Sequence, residues 1–208
     1  MTEYADEQIR YVINQVEAEE RYNSQNIYEG ITIQEKQYEF QEMGFFDDKL
    51  KMQIPTNFVD MPLELAAIKY HASDRPQIIK TDETGSINIT MNLLPHKIGD
   101  ENIPKLKEEI EGVIKTLHPT YLFFQDGVEN ISEKTIGFFE FKSSTRDTSL
   151  FNVMFILEFE HKILLGNFSC SYGEYLPWRP IARQIMQSIR VCSNQQAADI
   201  QTKGGPCE

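Results

Sequence analysis

The stretch from residue 54 to residue 93 constrains the fold more than any other part of the chain. Every second residue across residues 87–93 is apolar, and the residues between them are Asn or Thr. This period of two is typical of a strand with one buried side. A shorter strand-like run covers residues 78–80, and residues 82–85 predict a tight turn, because Gly85 can adopt a positive φ without a Cβ clash. The stretch therefore predicts a β-hairpin.

A short helix is predicted ahead of this hairpin. Residues 50–54 alternate between apolar and polar side chains as a strand that ends at Pro55. Asp60 followed by Pro62 is a typical helix start, which predicts a short helix over residues 63–70.

A long helix and then three or four strands follow the hairpin. Residues 103–117 place apolar side chains on one helical face, with Pro104 in the first turn and a His-Pro pair after the last. Short connections between the later strands imply antiparallel neighbours. Residues 150–160 carry apolar side chains on both sides, which predicts a central strand covered on both faces. The four predicted strands span residues 121–125, 135–142, 150–160 and 163–172.

A final amphipathic helix is predicted to begin near Pro177. One side of it is apolar and forms a buried stripe, and another side is basic. The tail, residues 193–208, has few apolar groups to bury and is predicted to be disordered. The apolar stripe comprises Trp178, Ile181, Ile185 and Ile189, and the basic side, called the arginine stripe below, comprises Arg179, Arg183 and Arg190.

Negative charge is concentrated at the start of the chain. The net charge is −12, and residues 1–48 hold 12 Asp or Glu against 3 Lys or Arg. This charge argues against nonspecific binding to nucleic acid or to an anionic membrane. The shift in composition divides the chain into an acidic extension (residues 1–48), a main domain (residues 49–192) and the tail. The extension is expected to hold a helix with an apolar stripe over residues 9–16 and a hairpin within residues 27–46, and this helix could pair between subunits or dock on its own domain.

Cysteine usage and hydropathy favour a cytoplasmic location. Cys170, Cys192 and Cys207 form an odd set with no CxxC pair, which argues against a disulfide framework and a metal site. The acidic N-terminus is unlike a signal peptide. No apolar run approaches the roughly 20 residues that cross a bilayer. We therefore expect a soluble cytoplasmic protein without stable membrane insertion.

The order of these elements is similar to that of a known family. Three groups of residues carry the resemblance: Ile54-Pro55 with Phe58, Arg75-Pro76 through Ile89, and Trp178 through Ile189 with Ser188. Over about residues 50–191 the chain resembles the PsbP-like fold of photosystem II extrinsic proteins, a Ran-binding nuclear import factor and bacterial chaperones of secreted effectors, and in style it is most similar to the last. The resemblance implies an α+β fold, an α/β/α sandwich around a mostly antiparallel sheet, and binding without catalysis.

The sequence contains no catalytic or metal-binding motif. Cys170 alternates with apolar neighbours and is predicted to be a core thiol. Glu158 and Glu160 share a strand face and could lie opposite Glu140 as an acid/base group, although a solvated strand end is the favoured interpretation. No enzymatic activity, cofactor or metal is predicted. The histidines are scattered without companion ligands or bases and are predicted to lie in loops: His71, His96, His118 and His161.

Three features are candidates for contact with a partner protein. Arg75 could clamp a partner carboxylate, or tie its own loop to Asp74 or Asp82. Trp178 could anchor a partner, or form part of the core. The arginine stripe could receive acidic groups from the extension or from a partner, or be a solvated helix face. Each feature thus has a structural alternative beside the functional one.

Three functions are compatible with these features. The first is a noncatalytic cytoplasmic protein-binding module, a chaperone or adaptor for a secreted or effector protein, with a concave apolar patch on one sheet face. The second is an immunity-type protein whose negative charge steers it onto a basic toxin. The third is a small-ligand binder with a deep pocket.

Overall fold

The computed structural model describes residues 10, 13, 16–73, 75–144 and 148–192. The helices are α1 (Leu63–Lys69), α2 (Ile103–Leu117) and α3 (Tyr175–Gln187), and residues 16–23 are also helical. The strands are β1 (Ile31–Ile33), β2 (Lys36–Tyr38), β3 (Phe40–Phe45), β4 (Leu50–Pro55), β5 (Val59–Asp60), β6 (Ile78–Thr81), β7 (Asn88–Lys97), β8 (Leu122–Ile131), β9 (Lys134–Ser144), β10 (Ser149–Phe159), β11 (Lys162–Ser171) and β12 (Arg190–Val191).

Seven strands form one antiparallel sheet in the order β5-β6-β7-β11-β10-β9-β8. Two of its connections are two-residue turns, Ser132-Glu133 and Glu160-His161, in which both residues have positive φ. Such turns match the twist of the flanking strands, so they fix the register of β8 on β9 and of β10 on β11. In this order β8 is an edge strand, whereas β10 lies between the long strands β9 and β11.

One face of the sheet carries both α1 and α2. The apolar side of α2 buries Ile103 against Phe139 and Ile156. At the other end of the sheet, Ala66 of α1 packs on Ile79. In the strand registers, Ile79 lies opposite Thr90, Thr90 opposite Asn167, and Asn167 opposite Met154, so all four residues share one face of the sheet. Met154 packs in the apolar cluster under α2. The two helices therefore stand on the same face, with part of β7 and β11 between them.

The opposite face carries α3 and the principal core. Trp178 is fully buried there and packs beside Phe168, with ring centroids 5.8 Å apart. A second sheet, in the order β12-β4-β3, closes the same side. The hydroxyl of Ser188, just after α3, accepts the N–H of Gln53 on β4 at 2.8 Å, so it joins the helix end to this sheet.

The acidic extension contributes to this core. Ile27, Ile31 and Ile33 are buried in the principal cluster, and Tyr38 makes an edge contact with Trp178 at 5.0 Å between ring centroids. β3 pairs with β4 along its whole length. The change in charge near Asp48 therefore does not coincide with a boundary in packing.

The structure confirms the predicted fold class. It is an α+β fold in which helices flank a large sheet with antiparallel pairing. The hairpin of β6 and β7 and helices α1 and α2 lie where the sequence predicts them, and β10 is central. The predicted residues 9 and 12 of the N-terminal stripe and the tail, residues 193–208, lie outside the described residues. Ile13 and Val16 of that stripe are both 49% exposed, so they are not buried core residues.

Two local predictions need correction. The first strand of the meander does not end at residue 125 but continues to Ile131, because a β-bulge near Phe124 interrupts the apolar alternation without ending the strand. Glu140 does not lie opposite Glu158 or Glu160. Its partner in the register is Val153, which places Glu140 on the α3 side of the sheet and Glu158 on the α2 side.

Alanine at Gly85 is expected to destabilise the protein by about 1–2 kcal/mol, the cost of left-handed backbone in a residue with a Cβ. Gly85 has φ of +74°, and a Cβ there would lie 2.8 Å from Cδ2 of Leu65. Gly112→Ala is the matched control, since Gly112 lies inside α2 with no atom within 4 Å of a Cβ, and it should stabilise the protein by about 0.5–1 kcal/mol. Urea unfolding of both variants measures the difference, and equal effects would contradict it.

Candidate protein-binding surface

Arg179 and Arg183 bind a buried carboxylate on the sheet. Glu140 lies on β9 beneath α3 and is 1% exposed. Nε of Arg179 donates to Oε2 of Glu140 at 2.8 Å, and Nη1 of Arg183 lies 3.7 Å from Oε1. A buried carboxylate without a cation would strongly destabilise the fold. These two arginines therefore have an internal role, and the interpretation as a solvated helix face is wrong for them.

Arg183 has further partners inside the protein. Its Nη2 donates to Oε1 of Glu129 on β8, and the other oxygen of Glu129 accepts from Gln187 at 2.9 Å. The guanidinium carbon lies 3.9 Å from the ring centroid of Phe138, a cation–π contact. Arg183 thus joins α3 to both β8 and β9. A cavity of about 320 Å³ beside it is lined in part by Glu19 of the extension.

Arg190 differs from the other members of the arginine stripe. Its side chain is 58% exposed, and Nη1 lies 3.9 Å from Oε2 of Glu42 in the acidic extension. An exposed pair at this distance contributes little to stability. Within the described residues, the hypothesis that the stripe pairs with the extension therefore applies to Arg190.

Trp178 and Arg75 do not form part of the arginine cluster around Glu140. Trp178 has no exposed surface, so its alternative interpretation as a core residue holds, and it cannot contact a partner. Nε of Arg75 is buried without a hydrogen bond, and no described carboxylate pairs with its guanidinium. Asp82 instead caps its own turn by accepting from Thr84 Oγ1 and from the N–H of Ile87. Contact of Arg75 with a partner stays a prediction.

A cluster of carboxylates on α2 and β8 surrounds an ammonium group. Oxygen atoms of Glu108, Glu111 and Asp126 lie within 4.8 Å of one another, and Nζ of the buried Lys107 contacts all three. Burial alone would lower the pKa of Lys107, but hydrogen bonds to Asp126, Glu108 and Glu111 outweigh it, so the pKa is raised. The lysine ammonium thus supplies the positive charge that these carboxylates need.

The remaining candidates for chemistry have structural roles. Cys170 is fully buried, and burial raises the pKa of its thiol, which keeps it protonated and unreactive. Glu158 pairs with Lys134 and accepts the N–H of His161, so it caps the β10–β11 turn. No described residue is placed beside Cys170 or Glu158 in an arrangement that could support catalysis. The core-thiol prediction for Cys170 is confirmed.

The outer edge of β8 presents unpaired backbone groups. The Ser132-Glu133 turn makes Ile131 and Lys134 the first hydrogen-bonded pair, so the pairing alternates along the hairpin. The N–H and C=O groups of Asp126, Val128 and Asn130 therefore point away from β9. Within the described ranges no strand pairs with this edge and no other group bonds to it. It is a free sheet edge of the kind that accepts another strand.

Exposed apolar side chains accompany this edge. Leu122, Phe124 and Val128 are 57%, 41% and 41% exposed. Acidic groups stand beside them, since Asp126 is half-exposed and Glu108 lies 70% exposed nearby. We call this surface, Leu122 to Asn130 on the open side of β8, the β8 edge. Sequence reasoning missed most of it, although the polar Ser-Glu pair between two strand-like runs was a turn signal.

Comparison with solved structures shows that the chain has a PsbP-like fold. Cyanobacterial PsbP (CyanoP) from Synechocystis matches with a TM-score of 0.54 and 8% identity, over 74% of this chain and 92% of that chain. The Ran-binding protein Mog1p from Saccharomyces cerevisiae matches with a TM-score of 0.51 and 7% identity, over 74% of this chain and 96% of that chain. No protein-family model matches the sequence, and no curated protein matches it.

None of the helices within the described residues combines the length and apolarity needed to span a membrane.

Proposed function

We propose that this protein is a noncatalytic binding module that takes up an extended segment of another protein at the β8 edge, in the manner of a chaperone or an adaptor. The observation that carries the proposal is the run of outward N–H and C=O groups at Asp126, Val128 and Asn130 on an edge strand with exposed apolar side chains. An extended peptide adds to such an edge through main-chain hydrogen bonds, and its side chains then supply specificity.

Charge and apolar surface define the partner segment. Leu122, Phe124 and Val128 offer apolar contacts, and Asp126 and Glu108 offer negative charge. An extended segment in which apolar and basic residues alternate would complement both the apolar and the acidic side chains. The net charge of −12 would also steer a basic partner toward the protein.

The fold is compatible with this role. The PsbP-like fold includes a protein named as Ran-binding, so the scaffold can serve protein binding, and no catalytic family is indicated. The identity of the partner separates the finer classes. A secreted or effector protein would define a cytoplasmic chaperone or adaptor, whereas a basic toxin would define an immunity protein.

Affinity purification from cell extract, followed by hydrogen exchange of the isolated complex, tests the proposal. We expect a stoichiometric protein partner that slows exchange at the amides of Asp126, Val128 and Asn130, because each would donate to the added strand. These amides should exchange fast in the free protein. A complex in which they stay fast while another surface becomes protected would contradict the proposal.

A further inference from the structure

A groove of about 760 Å³ lies beside the start of β8, since Lys142 in its lining pairs with Leu122 and Tyr172 stacks with Phe124. It is formed by the end of α1, the turn between β6 and β7, and the ends of β9, β10 and β11 that meet near Tyr172. Its volume lies within the range of small-molecule sites, about 300–1,000 Å³. The groove therefore has room for a metabolite.

The charge of the groove is opposite to that of the protein. The sequence carries 32 Asp or Glu, yet no carboxylate lines the groove among the described residues, whereas Lys69 and Lys142 do. The nearest acid of the turn, Asp82, directs its carboxylate to Thr84 and Ile87. Among the described lining residues, an anion would therefore meet two cations and no carboxylate.

Neither lysine forms an ion pair with a carboxylate of the described residues. Eight of the twelve described lysines pair with a carboxylate, but Lys69 and Lys142 are not among them. Nζ of Lys69 donates to the carbonyl of Gly85, and Nζ of Lys142 stands 4.0 Å from the ring centroid of Tyr172. These contacts hold both ammonium groups at the groove wall. Burial lowers the pKa of Lys69, and the negative charge of Asp82 offsets this effect only in part.

Hydroxyl groups supply the remaining polar lining. Ser86 in the turn between β6 and β7 lines the groove together with Ser169 and Ser171 on β11, and Ser169 is only 7% exposed. Serine hydroxyls both donate and accept hydrogen bonds, so they suit the oxygen atoms of an anion and the hydroxyls of its body. Ammonium and hydroxyl donors together are the groups that bind phosphate and carboxylate oxygens.

We propose that this groove binds a small-molecule oxyanion, a phosphate or carboxylate group on a hydroxyl-bearing body, with Lys69 and Lys142 as the cationic contacts. The site adjoins the Leu122 end of the β8 edge, and it adds ligand binding to the protein-binding role. Because the protein as a whole repels anions, uptake of one would report on this local arrangement.

Titration of the ¹⁵N-labelled full chain by NMR tests the proposal. The probes are glucose 6-phosphate and gluconate, which distinguish phosphate from carboxylate, and glucose, which lacks the charge. We expect saturable shifts of the Gly85, Ser86 and Ser171 amides with at least one anion and none with glucose. The double variant Lys69→Gln/Lys142→Gln should weaken that binding by about tenfold or more, from the loss of two charge-assisted contacts.

The matched control removes two lysines from other surfaces. Lys105→Gln/Lys162→Gln changes the net charge equally, but Lys105 lies exposed on α2 and Lys162 at the opposite end of β11 from Ser171. Its affinity should stay within about twofold of the unmodified protein. Should the groove double variant fail to fold, Ser171→Glu keeps both lysines and should abolish binding by like-charge repulsion. Absence of saturable shifts with both anions, or equal weakening by the control, would overturn the proposal.

Discussion

Charge reversal at Arg183 is expected to lower the free energy of unfolding by about 3–5 kcal/mol, because it breaks a buried ion-pair network and puts a like charge beside the buried Glu140, which keeps only Arg179 as a cation among the described residues. Arg183→Glu removes the cation from Glu129 and places a third carboxylate beside Glu140, which is 1% exposed. It also removes the cation–π contact with Phe138. Since a domain is stable by only about 5–15 kcal/mol, this single change should bring the protein close to unfolding.

Arg190→Glu is the matched control for this prediction. Both arginines belong to the same stripe in the sequence, and both substitutions change the charge by the same amount. Arg190 is 58% exposed, and its one ion-pair partner among the described residues is Glu42, at 3.9 Å, so its reversal should change the stability by less than about 1 kcal/mol. Chemical denaturation monitored by tryptophan fluorescence measures both, because Trp178 lies buried in α3. Equal stability of the two variants would show that the Arg183 contacts contribute nothing.

The contrast between Arg183 and Arg190 shows which contacts could not be predicted from the sequence. The apolar periodicity of α3 predicted which side of the helix meets the core, and Trp178 and Ile181 are indeed fully buried. The periodicity could not show what lies under Arg183, because Glu140 comes from a strand 43 positions earlier. Only the strand register places that carboxylate beneath α3. Helix faces were therefore predictable, and long-range ion pairs were not.

The acidic extension shows that charge composition is a poor predictor of packing. Composition predicted a boundary near Asp48, but charged residues on the outside of a hairpin do not prevent its other side from packing. Ile31 and Ile33 alternate with polar neighbours and reach the core beside Tyr38. The predicted hairpin signal, a period of two, was thus a better guide to packing than the charge.

The β8 edge was largely hidden in the sequence for a local reason. Leu122 and Phe123 read as a strand, but the bulge before Asp126 shifts the alternation by one position. Asp126-Gly127 then resembles a turn. Period-two analysis depends on an unbroken register, so a bulged strand divides into two short signals that are each too weak. This interruption hides the part of β8 whose outward backbone groups carry the proposed function.

Val128→Pro is expected to abolish partner binding, with a loss of affinity of at least about a hundredfold, while leaving the fold intact. The N–H of Val128 points outward, so proline removes a donor to the added strand and places its ring in the path of the partner. Proline is tolerated on an edge strand where the N–H faces solvent. Val128→Thr keeps the N–H and a similar shape, and should bind normally.

Glu129→Pro completes the design, because its N–H points inward to β9 in the alternating pattern. This neighbouring substitution should destabilise the protein by about 3 kcal/mol or more, because it removes an internal ladder bond and also the side-chain contacts of Glu129 with Arg183 and Gln187. Unfolding curves and affinity capture with each variant give the two readouts. Loss of the partner in Val128→Pro alone, at unchanged stability, assigns binding to the backbone of β8. Retention of the partner by a folded Val128→Pro protein would contradict strand addition at this edge and direct attention to the apolar side chains of Leu122 and Phe124, whose contacts need no main-chain donor.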